Sequence, residues 1–224
     1  MRASKSAKTA ARPHGSSGIQ LGEASARAMI LQGAASVFAV HGVRAASVEH
    51  VLEAAGVSRR TFYRLYGSKE EVAAVLYRLG TDRLLDACRL AVSEEKDPLR
   101  QVERCIDAHL QSARDFGRLV FVLGGEAQRR ESALHTRRMQ VHDMLVSLLA
   151  TAVNAQAGRS VDPLLVRALV LALEGVTRVM LEEGNEGRHV THAGVARIKR
   201  VMMRIATATL AGDGPGVTAM PPGE

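Results

Sequence analysis

The stretch from Ser47 to Lys69 constrains this chain most. It reads Ser-Val-Glu-His-Val-Leu-Glu-Ala-Ala-Gly-Val-Ser-Arg-Arg-Thr-Phe-Tyr-Arg-Leu-Tyr-Gly-Ser-Lys. Val48, Val51, Leu52 and Ala55 recur at i, i+3, i+4 and i+7, the pattern of a short helix buried along one face. Ser47 is placed to cap it, its hydroxyl accepting from an otherwise unpaired first-turn amide. Gly56 stands where the chain must reverse, and only glycine takes φ > 0 there without strain. Val57 fills the space between the elements and Ser58 caps a second helix. On that helix Phe62 and Leu65 turn inward, Arg60 and Arg64 face outward, and Thr61 and Tyr63 flank them. Gly67 ends it, and Ser68-Lys-Glu-Glu71 is a capping box for the next helix, with Lys69 in its first turn. Two short helices crossed through a tight turn form a helix-turn-helix, which can present its second member to a DNA major groove.

The outward residues have the chemistry for that role. Arginine forks onto guanine O6 and N7 or clamps a phosphate, which suits Arg59, Arg60 and Arg64. The hydroxyls of Ser47, Ser58, Thr61 and Tyr63 can bond phosphate oxygens, and the threonine methyl can touch a thymine methyl. Lys69, beside free helix-terminal amides, can hold a backbone phosphate. The plainer alternative is a solvated basic helix packed by Phe62 and Leu65. Caps, turn glycine and inward stripe all fall in register, which favours DNA binding.

Composition agrees. Of 224 residues 46% are hydrophobic but only 3% aromatic, so the core is built from Ala, Leu, Val and Met. Ala and Leu lead the helix-propensity scale, and an all-α fold is expected. The length allows one or two domains with a sizeable core. The net charge of +7 favours a polyanionic partner. Arg2, Lys5, Lys8 and Arg12 crowd the N-terminus, and no acidic residue precedes Glu23. Cys88 and Cys105 show no metal or redox spacing along the chain and fit a reduced cytosol. No apolar run is expected to reach the roughly 20 residues that cross a bilayer, and the basic N-terminus lacks the apolar stretch of a secretory signal. A cytoplasmic protein with no membrane partner is expected.

From about Ala24 to Leu76 the sequence resembles the DNA-binding domain of TetR-family transcriptional regulators. The resemblance rests on Phe38-Ala-Val-His-Gly42, Ser47-Val, Ala54-Ala-Gly-Val-Ser58, Thr61-Phe-Tyr63 and Ser68-Lys-Glu70, about a quarter of the chain. It implies that Ser47, Arg59, Arg60, Thr61, Tyr63 and Lys69 touch DNA. Two positions depart from the pattern. Leu65 stands where the family often has histidine, which removes one phosphate contact. Glu49 places a carboxylate on the outer part of the first motif helix, where it repels phosphate.

Around this motif we expect about nine helices. Residues 1–22 read as a basic disordered arm, 23–67 as the helix-turn-helix domain, 68–212 as an effector-binding and dimerisation domain, and 213–224 as a flexible tail. A first helix over 24–40, with Leu31, Ala35 and Phe38 inward, ends at Gly42. A long helix over 68–92 follows, continuing despite Gly80. Asp97-Pro98 opens another. Phe116-Gly117 and Gly124-Gly125 bracket a short apolar segment from Leu119 to Leu123, and a further helix starts near Glu126 and ends by Gly158. Asp162-Pro163 opens a helix to about Glu183 that is apolar nearly all round and so must be covered on more than one side. Thr191 caps the last, whose second stripe is Val201 and Ala208. The helices over 163–183 and 191–211 are expected to pair with their symmetry mates in a homodimer. Two heads on one dimer suit a palindromic operator in double-stranded DNA.

The middle helices are expected to enclose a small-molecule effector site lined by Cys105, His109, Phe116, Phe121, Met139 and His142. The alternative for His109 is a hydrogen-bonded core histidine, and for the methionines simple gap-filling. No metal is expected. His135 and His142 share a face two turns apart, about 10 Å, too far for one ion, and His189 and His192 lack companion ligands. No phosphate loop, nucleophile elbow or carboxylate pair is found, so neither an enzyme nor a cofactor is expected. The reading is a ligand-released repressor, with a helical small-molecule-binding protein that never touches DNA as the alternative.

Overall fold

The computed structural model describes residues 17–157, 161–185 and 191–211. Among these the chain is all-α, in nine helices: α1 (Ser17–Ala45), α2 (Val48–Ala55), α3 (Arg59–Leu65), α4 (Lys69–Glu94), α5 (Pro98–Phe116), α6 (Arg118–Gln128), α7 (Ala133–Ala157), α8 (Pro163–Asn185) and α9 (His192–Ala211). The expected N-terminal motif and C-terminal helical body are both present. Residues 17–22, expected to be disordered, begin α1. The rest of the arm, Gly158 and the tail lie outside the described residues.

The apolar residues gather in two cores. One joins Ile30, Ala34 and Phe38 of α1, Val51 and Ala55 of α2, and Phe62 and Leu65 of α3. It extends into Val72 and Ala73 of α4 and Leu123 and Ala127 of α6. The other is made by the second half of α4 with α5, α7, α8 and α9, and Val120 and Phe121 of α6 pack against it. Both α4 and α6 therefore span the two cores.

Several expectations need correction. The buried face of α1 is Ile30, Gly33, Ala34, Val37 and Phe38, while Leu31 and Ala35 are only half-buried. Gly33 is the reason. A Cβ there would lie 2.7 Å from the Ala55 backbone nitrogen, so only glycine lets α2 seat this closely. Residues Gly22–Ala45 are also long and apolar enough by composition to cross a membrane, contrary to expectation. Their apolar stripe is instead packed into the first core.

The α1 helix does not stop at Gly42 but kinks there, at φ 77°, and adds a last turn. The kink frees carbonyls on both sides, and two cations collect them. Arg118 of α6 donates to the carbonyls of Ala39 and Val40. Lys69 of α4 donates to those of Val43 and Arg44, each at 2.9 Å, and of Ala46.

Gly124 and Gly125 do not end the apolar segment; α6 runs through them. A Cβ on Gly125 would meet the Arg178 guanidinium at 3.3 Å, so the glycine gives this α8 side chain room to cross. The break falls at Arg129–Ser132, and α7 starts at Ala133 rather than near Glu126, with the Ser132 hydroxyl accepting from Leu134 N at 3.2 Å. The α8 helix is also not covered all round. Val166, Leu169, Thr177, Met180 and Leu181 are buried, while Leu164 and Val179 are 67% and 55% exposed.

Candidate nucleic-acid interface and internal cavity

The motif forms as its residues dictate. Ser47 caps α2, its hydroxyl accepting from His50 N at 3.1 Å. His50 Nδ1 in turn accepts from Ser47 N at 3.3 Å, so histidine fills the place that Glu or Gln takes in a capping box. Its ring stacks on His41, centroids 5.1 Å apart, which ties α2 to the end of α1. Gly56 takes the left-handed conformation, φ 63°, and makes the turn. Ser58 caps α3 by accepting from Thr61 N at 3.1 Å, and its hydroxyl also pairs with that of Thr61 at 2.9 Å.

Phe62 is fully buried and Leu65 nearly so, whereas Arg59, Arg60, Tyr63 and Arg64 are exposed. The seven-residue α3 thus has an apolar underside and a guanidinium-bearing upper face. Arg27 of α1, unremarked in the sequence, pins its far end. Its guanidinium donates to the Leu65 carbonyl at 3.4 Å and lies 5.5 Å from the centre of the Tyr66 ring. A basic residue one turn before the buried stripe that starts at Ile30 was the available signal.

Two charged residues are placed differently from expectation. Glu49 pairs with Arg59 across the motif, so the carboxylate neutralises one arginine rather than standing free. The Lys69 ammonium, expected beside a phosphate, is turned onto the three carbonyls at the end of α1, and its side chain is only 17% exposed. Lys69→Met is therefore expected to lower stability by about 1–3 kcal/mol, because it strands those carbonyls. Urea unfolding checks this. Unchanged stability would mean that Lys69 serves only a bound partner.

Beyond the motif, α4, α5, α6, α7 and α8 enclose a cavity of about 530 Å³. Cys105, His109, Phe116, Phe121 and His142 line it together. Met139 does not. It follows Arg138, which turns inward, and its own side chain faces out of the cavity wall. Polar groups interrupt the apolar lining. His109 Nε2 meets the Thr177 hydroxyl at 3.1 Å, and burial drives its pKa down to about 4, so it is neutral near pH 7. Glu174 accepts from Arg138 Nε at 2.8 Å and Nη2 at 2.6 Å, with His142 Nε2 at 3.4 Å. Burial raises the Glu174 pKa, but the bonds from Arg138 and His142 outweigh that and bring it to about 2. Tyr77, beside this carboxylate, is pushed up to about 12, chiefly by burial. Arg178 lies 5.2 Å over the Phe121 ring and donates to Gln128 Oε1 at 2.9 Å. The sequence reading missed Glu174, Arg138, Thr177 and Arg178. A carboxylate inside the apolar run of α8 was the signal that could have found the first.

Residues 30–76 match the family model described as bacterial regulatory proteins, tetR family. This stretch, which holds α2 and α3, is similar to the DNA-binding part of TetR-family regulators. The chain is 30% identical over 130 residues to the HTH-type transcriptional repressor KstR2 of Mycobacterium tuberculosis, a stretch covering 56% of this chain and 65% of that protein. Among solved structures, the fatty acid degradation regulator FadR of Bacillus halodurans matches with a TM-score of 0.66 at 20% identity, over 80% of this chain and 94% of that one. FadR of Bacillus subtilis, solved in complex with stearoyl-CoA, gives 0.66 at 15% identity, over 84% and 99%. These two likenesses establish a shared fold, an N-terminal helix-turn-helix followed by a helical body.

Proposed function

We propose that this chain is a ligand-responsive transcriptional repressor, acting as a homodimer on a palindromic operator in the cytoplasm and released by a small molecule held in its cavity. The observation that carries the reading is α3, with Phe62 and Leu65 buried beneath and Arg60, Tyr63 and Arg64 exposed above. Arg60 and Arg64 read base edges or clamp phosphates, Tyr63 and Ser47 bond phosphate oxygens, and the Glu49–Arg59 pair opens when DNA competes for the guanidinium. Residues 23–67 act as the reading head and 68–212 as the effector-binding and dimerisation body.

The dimer is supported by the outer stripe of α8. Leu164, Ala168, Leu171, Gly175 and Val179 recur at helical spacing and all are exposed. Val201 and Ala208 are exposed on α9. Such a contiguous apolar face suits a second copy of itself.

The cavity suits an elongated, mainly apolar effector with a polar or anionic end. Its lining surface is mainly apolar, and Arg83 and Arg178 supply guanidinium groups. The stearoyl-CoA in the Bacillus subtilis structure is compatible with this class, and the repressor name of KstR2 with the proposed sign of regulation. Because α4 and α6 line the cavity and also enter the head core, a ligand that favours one arrangement of these helices biases the spacing of the two heads.

Arg60→Ala tests the reading. Affinity for the gene's own upstream DNA is expected to fall by about 10- to 100-fold with the fold intact, while ligand binding is unchanged. Affinity should also drop steeply with salt. A variant that binds as well as the parent, or a flat salt dependence, would leave the small-molecule-binding alternative standing.

A further inference from the structure

The chain has two cysteines, and folding brings them together. Cys88 lies on α4 and Cys105 on α5, at mirrored positions about the turn between these helices. The Cys105 thiol donates to the Cys88 carbonyl oxygen at 3.9 Å. Both are buried, and both line the cavity. The proposed reading of DNA uses neither.

We propose that Cys105 and Cys88 are an attacking and a resolving thiol, and that their substrate is an apolar organic hydroperoxide entering the cavity. The Cys105 thiolate attacks the terminal oxygen of R–O–O–H. The O–O bond breaks, the alkoxide leaves as ROH with the proton that Cys105 gave up, and Cys105 becomes a sulfenic acid. The Cys88 sulfur then attacks the Cys105 sulfur. An S–S bond forms, the S–O bond breaks, and the hydroxide departs as water with the Cys88 proton. The hydroperoxide is the two-electron oxidant, so two thiols and ROOH give a disulfide, ROH and water.

The assignment of roles follows from access: Cys105 is 6% exposed and Cys88 only 1%, so a molecule in the cavity meets Cys105 first. The neighbouring Cys88 thiol lowers the Cys105 pKa against the opposing effect of burial, while Cys105 and burial together raise that of Cys88. The choice of substrate follows from the walls. Leu84, Val102, Ile106, Leu149 and Leu173 line the same space, so an apolar peroxide partitions into it and a charged disulfide oxidant does not. The product bond would join the helix that bears the reading head to its neighbour.

Intact-mass analysis of the full chain after exposure to cumene hydroperoxide, with a non-reducing gel, is the test. The expected result is a monomer lighter by two hydrogens and restored by dithiothreitol, formed roughly tenfold faster than with hydrogen peroxide at equal concentration. In Cys88→Ser the reaction should stop at a sulfenic acid that dimedone captures, and Cys105→Ser should not react. The wild-type measurement stands even if a variant misfolds. Thiols that survive excess cumene hydroperoxide, cross-links only between chains, or faster reaction with hydrogen peroxide would each overturn the proposal. Because no DNA is involved, that failure would leave the regulatory reading untouched.

Discussion

Replacing Glu174 with alanine is expected to lower stability by about 3–5 kcal/mol, because it leaves a buried guanidinium without its counter-charge. The Arg138 side chain is only 13% exposed, and two of its nitrogens donate to Glu174. Arginine cannot shed its proton to escape, so the α7–α8 contact must open or admit water. A double replacement, Arg138→Met with Glu174→Leu, should recover most of the loss, since a buried pair contributes little net stability over apolar residues of similar volume. The pH dependence has a definite sign. The Glu174 carboxyl sits at about 2 in the folded chain against an ordinary 4.5. Its contribution is complete above about pH 4.5 and is lost as pH falls toward 2, because the unfolded chain takes up the proton first. Urea midpoints at pH 7 and pH 3 check both points. A variant equally destabilised at the two values would show that the ion pair is not responsible.

Gly33→Val should break the reading head while sparing the body, at about 3 kcal/mol. The new Cβ would sit 2.7 Å from Ala55 N and 2.9 Å from its Cα. Backbone cannot rotate away as a side chain can, so α2 must lift from α1 and carry α3 with it. Hydrogen exchange should then rise across α1–α3 and stay low in α5, α8 and α9, with DNA binding lost. Retained DNA binding with unchanged exchange would contradict the close contact.

The motif was legible because its information is local. Val51, Ala55, Phe62 and Leu65 declare their buried faces by spacing, and Ser47, Gly56 and Ser58 mark the boundaries by their own backbone chemistry. The same locality explains the errors near it. Glu49 and Arg59 are ten residues apart on different helices, so their pairing depends on the crossing angle rather than on either helix alone. Lys69 looked free because the carbonyls it binds are exposed only by the kink at Gly42, which a left-handed glycine permits without announcing.

The cavity was half legible. Cys105, His109, Phe116, Phe121 and His142 were found because polar or aromatic residues interrupt apolar stripes, and Met139 was misplaced because its side chain turns to the exposed side of α7. Glu174, Arg138 and Thr177 were missed because each reads as an isolated polar residue until three helices meet.

The sequence by itself determined that the chain is helical, where the reading motif begins and turns, and which of its faces is apolar, because propensity, capping and periodicity act within a few residues. Only the tertiary structure decided which charges pair, where the cavity lies and that two cysteines distant in sequence border it. Those outcomes depend on distances between helices, which are set by how their side chains interlock and by glycines such as Gly33 that allow close approach.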